Sequence, residues 1–293
     1  CVTCGLSGQK KTMSETHWFR PTVILIALLT AFRVLTQYYA DIDLFVDESQ
    51  YWFWGQELAF GYYSKPPLIG WVIRLFTDIA GSDAPFWVRL PAPLFHAATA
   101  LILAWVAAEN ISNRSAVYVA VGYATLPMIA VGSVLISTDT IMFPFLAASL
   151  GFYLRLCRTS DARYALLAGA LLGCAFMAKY AAVYFILCAG IAAVLMPMYR
   201  PSLKQVGFAL VAFLIFISPN LIWNIANGFS TAQHTLDNAD WVRDPSERAS
   251  LNIAGLAEFV VSQFAVFGPV LFAALPAILG GLVVRPKTSI EKL

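Results

Sequence analysis

Apolar stretches long enough to cross a bilayer recur along this chain between short polar breaks, and the pattern predicts eight helical spans. They fall at about residues 21–40, 87–108, 115–134, 138–156, 164–178, 180–197, 205–223 and 257–284. The first is the least regular, because Arg33 interrupts it and its purely apolar part, Pro21 to Ala31, is as short as a signal-peptide core. No small-x-small cleavage site follows, which favours an uncleaved anchor. Two segments between spans are long. In residues 41–86, "YWFWGQELAFGYY" and "PPLIGWVIRLF" read as amphipathic helices whose Trp and Tyr rings suit the headgroup region. Residues 224–256 are polar.

Charge adds orientation to this pattern. With a cytoplasmic amino terminus, the inner segments hold Lys10, Lys11 and Arg20, then Arg114, then Arg155, Arg158 and Arg163, then Arg200 and Lys204, and last Arg285, Lys287 and Lys292. These are most of the 19 basic residues, as the positive-inside rule requires. The outer segments collect Asp41, Asp43, Asp47, Glu48, Glu57, Asp78 and Asp83, and later Asp237, Asp240, Asp244 and Glu247.

Composition agrees with an all-α polytopic transmembrane helix bundle. Hydrophobic residues make up 59% of 293 and charged residues 12%, where soluble proteins average about 25% charged. Mean hydropathy is +0.71. The net charge of +2, with no basic stripe, points away from nucleic acid as a partner, and the apolar composition points to membrane lipids. Of the five cysteines, Cys157, Cys174 and Cys188 lie in or beside apolar spans, where they serve as small packing residues. Cys1 and Cys4 form a CxxC without a second pair or His cluster to complete a zinc site. Residues 1–12 read as a non-native or upstream tail, leaving 13–293 as a single transmembrane domain.

The candidate chemistry gathers on the outer side. Asp47 and Glu48 follow the first span, and adjacent carboxylates at a helix start diverge, so the two address different atoms. A carboxylate there can act as general base toward an acceptor hydroxyl or help hold a divalent cation. It can equally cap the helix. Lys65 precedes Pro66 and Pro67, whose fixed rings aim its side chain; a fixed interfacial cation suits a phosphate, while a snorkelling lysine is the plain alternative. Arg89, at the outer start of the second span, could meet a phosphate or anchor the interface. Asp139 stands at the outer end of an apolar span and Lys179 at the outer junction of two spans; they could pair, or both could face a polar cavity. His234 is a possible phosphate donor, base or metal ligand in a polar loop. There is no Gly-rich phosphate loop, no HExxH and no nucleophile elbow.

These residues carry a resemblance. "DESQYWFWGQELAFGYYSKPPLIGW", "VRLPA", "STDT", "GCAFMAKYAAV", "SPNLIWNIANGFSTAQHTL" and "QFAVFGPVLF" occur in the order seen in the polytopic GT-C glycosyltransferases. The chain is similar to the bacterial protein O-mannosyltransferase and lipid A aminoarabinose transferase-like superfamily (RgtA/B/C/D-like), over nearly all of residues 40–275. The resemblance implies a transferase at the outer face of the bacterial inner membrane, with its site toward the periplasm. It would take a sugar from a polyprenyl-phosphate donor lipid to an envelope glycolipid, polysaccharide or protein. Asp47 matches the family's catalytic aspartate, Lys65-Pro66-Pro67 its Lys-Pro or His-Pro element, and Asp139 a further aspartate. The protein mannosyltransferases have His where this chain has Lys65, and members are usually longer, so the chain reads as a fragment or shortened product.

The expected reaction is an inverting transfer. Asp47 activates the acceptor oxygen, and Lys65, assisted by Arg89 or Lys179, stabilises the leaving phosphate; Glu48, Asp139 and His234 support the site. The residues name no certain cofactor, and a divalent metal stays open. The rival reading from another class is a secondary transporter or flippase-like protein with Asp139 and Lys179 as an ion relay, although no repeated halves are visible.

Overall fold

The computed structural model describes residues 18–231, 233–234 and 253–284. The CxxC tail, the acidic run from Asp237 to Glu247 and the basic residues after Val284 lie outside them. All regular structure among the described residues is helical. In chain order the helices are α1 Phe19–Tyr39, α2 Val46–Gln56, α3 Leu68–Ala80, α4 Pro85–Arg89, α5 Pro91–Asn110 and α6 Asn113–Ala124. There follow α7 Pro127–Gly132, α8 Thr138–Thr159, α9 Ala162–Ala178, α10 Val183–Leu195, α11 Leu203–Ala226 and α12 Ile253–Val284.

Four stretches are long and apolar enough to cross a membrane: α1, α4 with α5 (Pro85–Asn110), α8 and α11. The helices Ala162–Ala178, Tyr180–Leu195 and Ile253–Gly268 are apolar but shorter. Two predicted spans are broken. The expected span 115–134 is α6 and α7, parted at Thr125 and Leu126, because the residue before Pro127 is sterically pushed out of helical geometry. The last span kinks at Gly268, whose φ of 74° only glycine adopts readily. In the first outer segment, α2 ends at Gln56, and residues 57–67 run as irregular chain before α3.

Helix α1 shows how lipid inverts the soluble pattern. Its buried residues are Thr22, Ile26, Arg33 and Gln37, on one face, while Leu25, Leu28, Phe32 and Leu35 are exposed. The Arg33 guanidinium donates to the Ala124 carbonyl at 2.5 Å, at the negative end of α6, and Gln37 donates to the Ser133 carbonyl at 2.9 Å. Arg33 thus ties α1 to the bundle. Small residues let the helices close: Ala100 and Ala104 of α5 and Ala116, Ala120 and Ala124 of α6 form one buried cluster. A Cβ added at Gly169 of α9 would stand 2.0 Å from the Ala209 carbonyl of α11.

Polar contacts fix the helix directions. At one end Glu48 links Arg89 to the Ile136 amide before α8; at the other, Glu109 of α5 pairs with Arg155 and Arg158 of α8. Helices α5 and α8 therefore run parallel. Helices α8 and α9 are antiparallel, with Ser149 donating to the Ala168 carbonyl at 2.9 Å and Lys179 meeting Asp139. The end with Glu109, Arg155, Arg158, Arg163 and Arg200 is the basic one predicted to face inward, and the opposite end bears the candidate site.

Candidate functional site

The site begins where α1 hands over to α2. Phe45 occupies the N-cap position of α2, so Asp47 and Glu48 fall in its first turn. Their side chains diverge, as adjacent positions on a helix must. Glu48 turns inward and is 2% exposed; it accepts from Arg89 Nε at 2.9 Å and Nη2 at 2.6 Å, from the Phe45 amide at 3.0 Å and from the Ile136 amide at 2.9 Å. Asp47 turns outward, is exposed, and makes no hydrogen bond or ion pair among the described residues.

The same contacts engage two of the candidate groups. Each Glu48 oxygen accepts both from Arg89 and from a backbone amide. Arg89, expected at a phosphate, has all three nitrogens engaged: Nη1 donates to the Ile42 carbonyl and Nη2 to the Asp43 carbonyl, each at 2.8 Å, besides the bonds to Glu48. It is 5% exposed. The pair staples the chain entering α2 to the starts of α5 and α8.

Asp139 lies in the first turn of α8, where Ser137 caps the helix by accepting from the Thr140 amide at 3.2 Å. Lys179 follows the last residue of α9, and its Nζ donates to Asp139 Oδ2 at 2.7 Å. Both side chains keep about a third or more of their surface, at 34% for Lys179 and 43% for Asp139. The pair is therefore accessible to a ligand. Tyr51, one turn after Asp47, stands within electrostatic reach of both carboxylates. Its ring is buried, and burial first, then the charges of Asp47 and Asp139, push its phenol up to about 12. Asp47 and Asp139 thus act on one phenol from two different helices.

Lys65 is half-buried in the irregular stretch before α3, and its ammonium has no carboxylate partner among the described residues. Pro66 and Pro67 behind it are fully buried, so its stem leaves a rigid base. Tyr62 donates its amide to the Lys65 carbonyl at 3.2 Å and stacks its ring on Trp54 of α2, with centroids 5.1 Å apart. His234 lies against Tyr63, with ring centroids 5.0 Å apart, which brings the second outer segment next to the first. Among the described residues, no three His, Cys, Asp or Glu side chains are grouped to hold a metal ion.

Sequence reasoning overlooked Tyr51, and with it Asn220 and Asn224, which are buried at 3% and 4% exposure near the end of α11. Two amides four residues apart in an apolar run were the available signal, since buried amides in a bundle need partners on neighbouring elements.

Asp47, Lys65 and the Asp139–Lys179 pair thus lie toward the end of the helical bundle opposite Glu109, Arg155 and Arg158. A family model described as dolichyl-phosphate-mannose-protein mannosyltransferase matches residues 64–223, more than half of the chain. The chain belongs to this family, of the GT-C type. It is also 38% identical over 256 residues to the lipid A galacturonosyltransferase RgtD of Rhizobium johnstonii, across 87% of this chain and 53% of that protein. The chain spans about half the length of this curated relative. No solved structure matches.

Proposed function

We propose that this chain carries the catalytic end of a membrane glycosyltransferase. It moves a sugar from a polyprenyl-phosphate donor to an envelope acceptor, of which a lipid A-type glycolipid is favoured by the name of the relative RgtD. The site faces the periplasm across the bacterial inner membrane. This orientation rests on the basic residues at the opposite end of the bundle. The observation that carries the reading is the split of the acidic pair: Glu48 is paired with Arg89, and Asp47 makes no hydrogen bond or ion pair among the described residues.

The reaction follows from those roles. Asp47 takes the proton of the acceptor hydroxyl while that oxygen bonds to the anomeric carbon from the face opposite the phosphate. The bond between the anomeric carbon and the phosphate oxygen breaks, the configuration inverts, and polyprenyl phosphate leaves with one more negative charge. Lys65 and Lys179 sit at the end of the bundle where that charge appears, and cations fixed in place need no reorganisation to stabilise it. Lys179 meets the phosphate while keeping Asp139 as its second partner, so Asp139 sets where the ammonium stands. Arg89 acts at a distance, by holding the first turn of α2.

Mass spectrometry of envelope glycolipids from cells with and without the gene tests the assignment. The expected result is a glycolipid lighter by one sugar residue when the gene is absent. Unchanged glycolipids, polysaccharides and glycoproteins would refute it.

A further inference from the structure

The stretch Phe60–Tyr62, which leads into Lys65, is gripped by α11 and the residues that follow it. Asn220 Nδ2 donates to the Phe60 carbonyl at 2.7 Å, and Thr231 Oγ1 donates to the Tyr62 carbonyl at 2.5 Å. Between them, Gly61 lies so close to Trp223 that a Cβ there would stand 2.3 Å from the indole. Asn220 and Thr231 are both buried, so neither bond has water to replace it.

The grip continues to the other cation. Tyr180, the residue after Lys179, donates its hydroxyl to Asn220 Oδ1 at 2.9 Å and accepts from Asn224 Nδ2 at 3.2 Å. One line of hydrogen bonds thus runs from Asn224 through Tyr180 and Asn220 to Phe60. Its links join the end of α9, the end of α11 and the first outer segment. The helix itself is adapted to hold this line: Pro219 cannot bond the Ile215 carbonyl, and Ser218 Oγ donates to that carbonyl at 2.8 Å instead.

We propose that Asn220, with Trp223 and Thr231, is a latch that positions Lys65 relative to Lys179, so that both ammoniums address one phosphate. The proposal rests on the reading of Lys65 as a phosphate-binding residue. Three partners of different chemistry converge on three consecutive residues: an amide, an indole and a hydroxyl. Holding the chain at Phe60 and Tyr62 leaves only two residues before Lys65, whose own carbonyl is bonded to the Tyr62 amide. Loss of the latch frees that turn while leaving the ammonium chemically intact.

The test is binding of undecaprenyl phosphate to the purified chain in detergent micelles, followed by tryptophan fluorescence. Lys65→Ala should weaken binding about tenfold, the size expected for a charge-assisted hydrogen bond. Asn220→Ala and Thr231→Val should each weaken it about threefold to tenfold. The double variant Lys65→Ala with Asn220→Ala should bind no more weakly than Lys65→Ala alone, because a residue acting through Lys65 has nothing left to position. Size-exclusion chromatography identifies any variant that fails to fold, and Thr231→Val, paired with Lys65→Ala in the same way, then decides the question. Losses that multiply in the double variant, or normal binding by Asn220→Ala and Thr231→Val beside a weakened Lys65→Ala, overturn the latch and leave the reading of Lys65 intact. Normal binding by Lys65→Ala overturns that reading, and the latch with it.

Discussion

Glu48 and Arg89 form a forked ion pair, with Nη2 and Oε2 2.6 Å apart and both side chains more than nine-tenths buried. Removing one partner leaves the other charge uncompensated, at a cost of about 3–5 kcal/mol. Glu48→Ala is therefore expected to lower thermal stability in detergent sharply, with Glu48→Gln intermediate. Arg89→Lys should also be poorly tolerated, since an ammonium cannot reproduce the fork to Glu48 and the bonds to Ile42 and Asp43 together. Unchanged melting of these variants would show that the pair does not hold the end of the bundle.

The second ion pair should behave in the opposite way. Asp139 and Lys179 are only half-buried, and pairs with that exposure contribute about 0–1 kcal/mol. Asp139→Asn and Lys179→Met are expected to melt near the wild-type temperature and to lose most transfer activity. The exchanged variant Asp139→Lys with Lys179→Asp restores a pair and should stay inactive, because the cation then stands on the wrong helix. Activity that returns with the exchange would assign the pair a structural role.

Helix packing offers a test independent of chemistry. Gly169→Ala places a methyl group against the Ala209 backbone and should cost about 1–3 kcal/mol by forcing α9 and α11 apart. Gly190→Ala on α10, where a Cβ would meet nothing within 4 Å, should be neutral or slightly stabilising. Melting curves of the two variants compare them directly, and equal curves would contradict the close approach.

Tyr51 reports on Asp47 through its titration. Its phenol is raised to about 12, first by burial and then by Asp47 and Asp139. A folded-state value above the usual one, about 10, means that the folded chain holds this proton more tightly than the unfolded chain does. The contribution to stability is thus complete below about pH 10 and is lost as pH rises toward 12. Asp47→Asn removes a neighbouring negative charge and should move the Tyr51 titration downward, read from tyrosinate absorbance after subtraction of Tyr51→Phe. An unmoved titration would separate Asp47 from Tyr51.

The bundle was largely legible in the sequence because lipid demands long apolar runs, and the charges at its two ends carry the orientation proposed for it. The break at Leu126-Pro127 was equally present in the letters, but the apolar run continued across it and hid the turn. Within the site, the divergence of Asp47 from Glu48 followed from helix geometry alone. What could not be read was the partner of each buried group. Glu48 is 41 residues from Arg89, and Asn220 is 160 from Phe60, so these pairings appear only when the helices are packed. Nothing in the local sequence of Arg89 shows that Glu48 reaches it.

The central claim is that Asp47 is the base of a sugar transfer. Membranes containing the protein, supplied with radiolabelled polyprenyl-phosphate-linked sugar and an envelope lipid extract, give the direct measurement. Asp47→Asn keeps the size and exposure of the side chain and removes its basicity. The account predicts a loss of transfer of about a hundredfold or more, with the protein still folded. Full transfer by Asp47→Asn would contradict it.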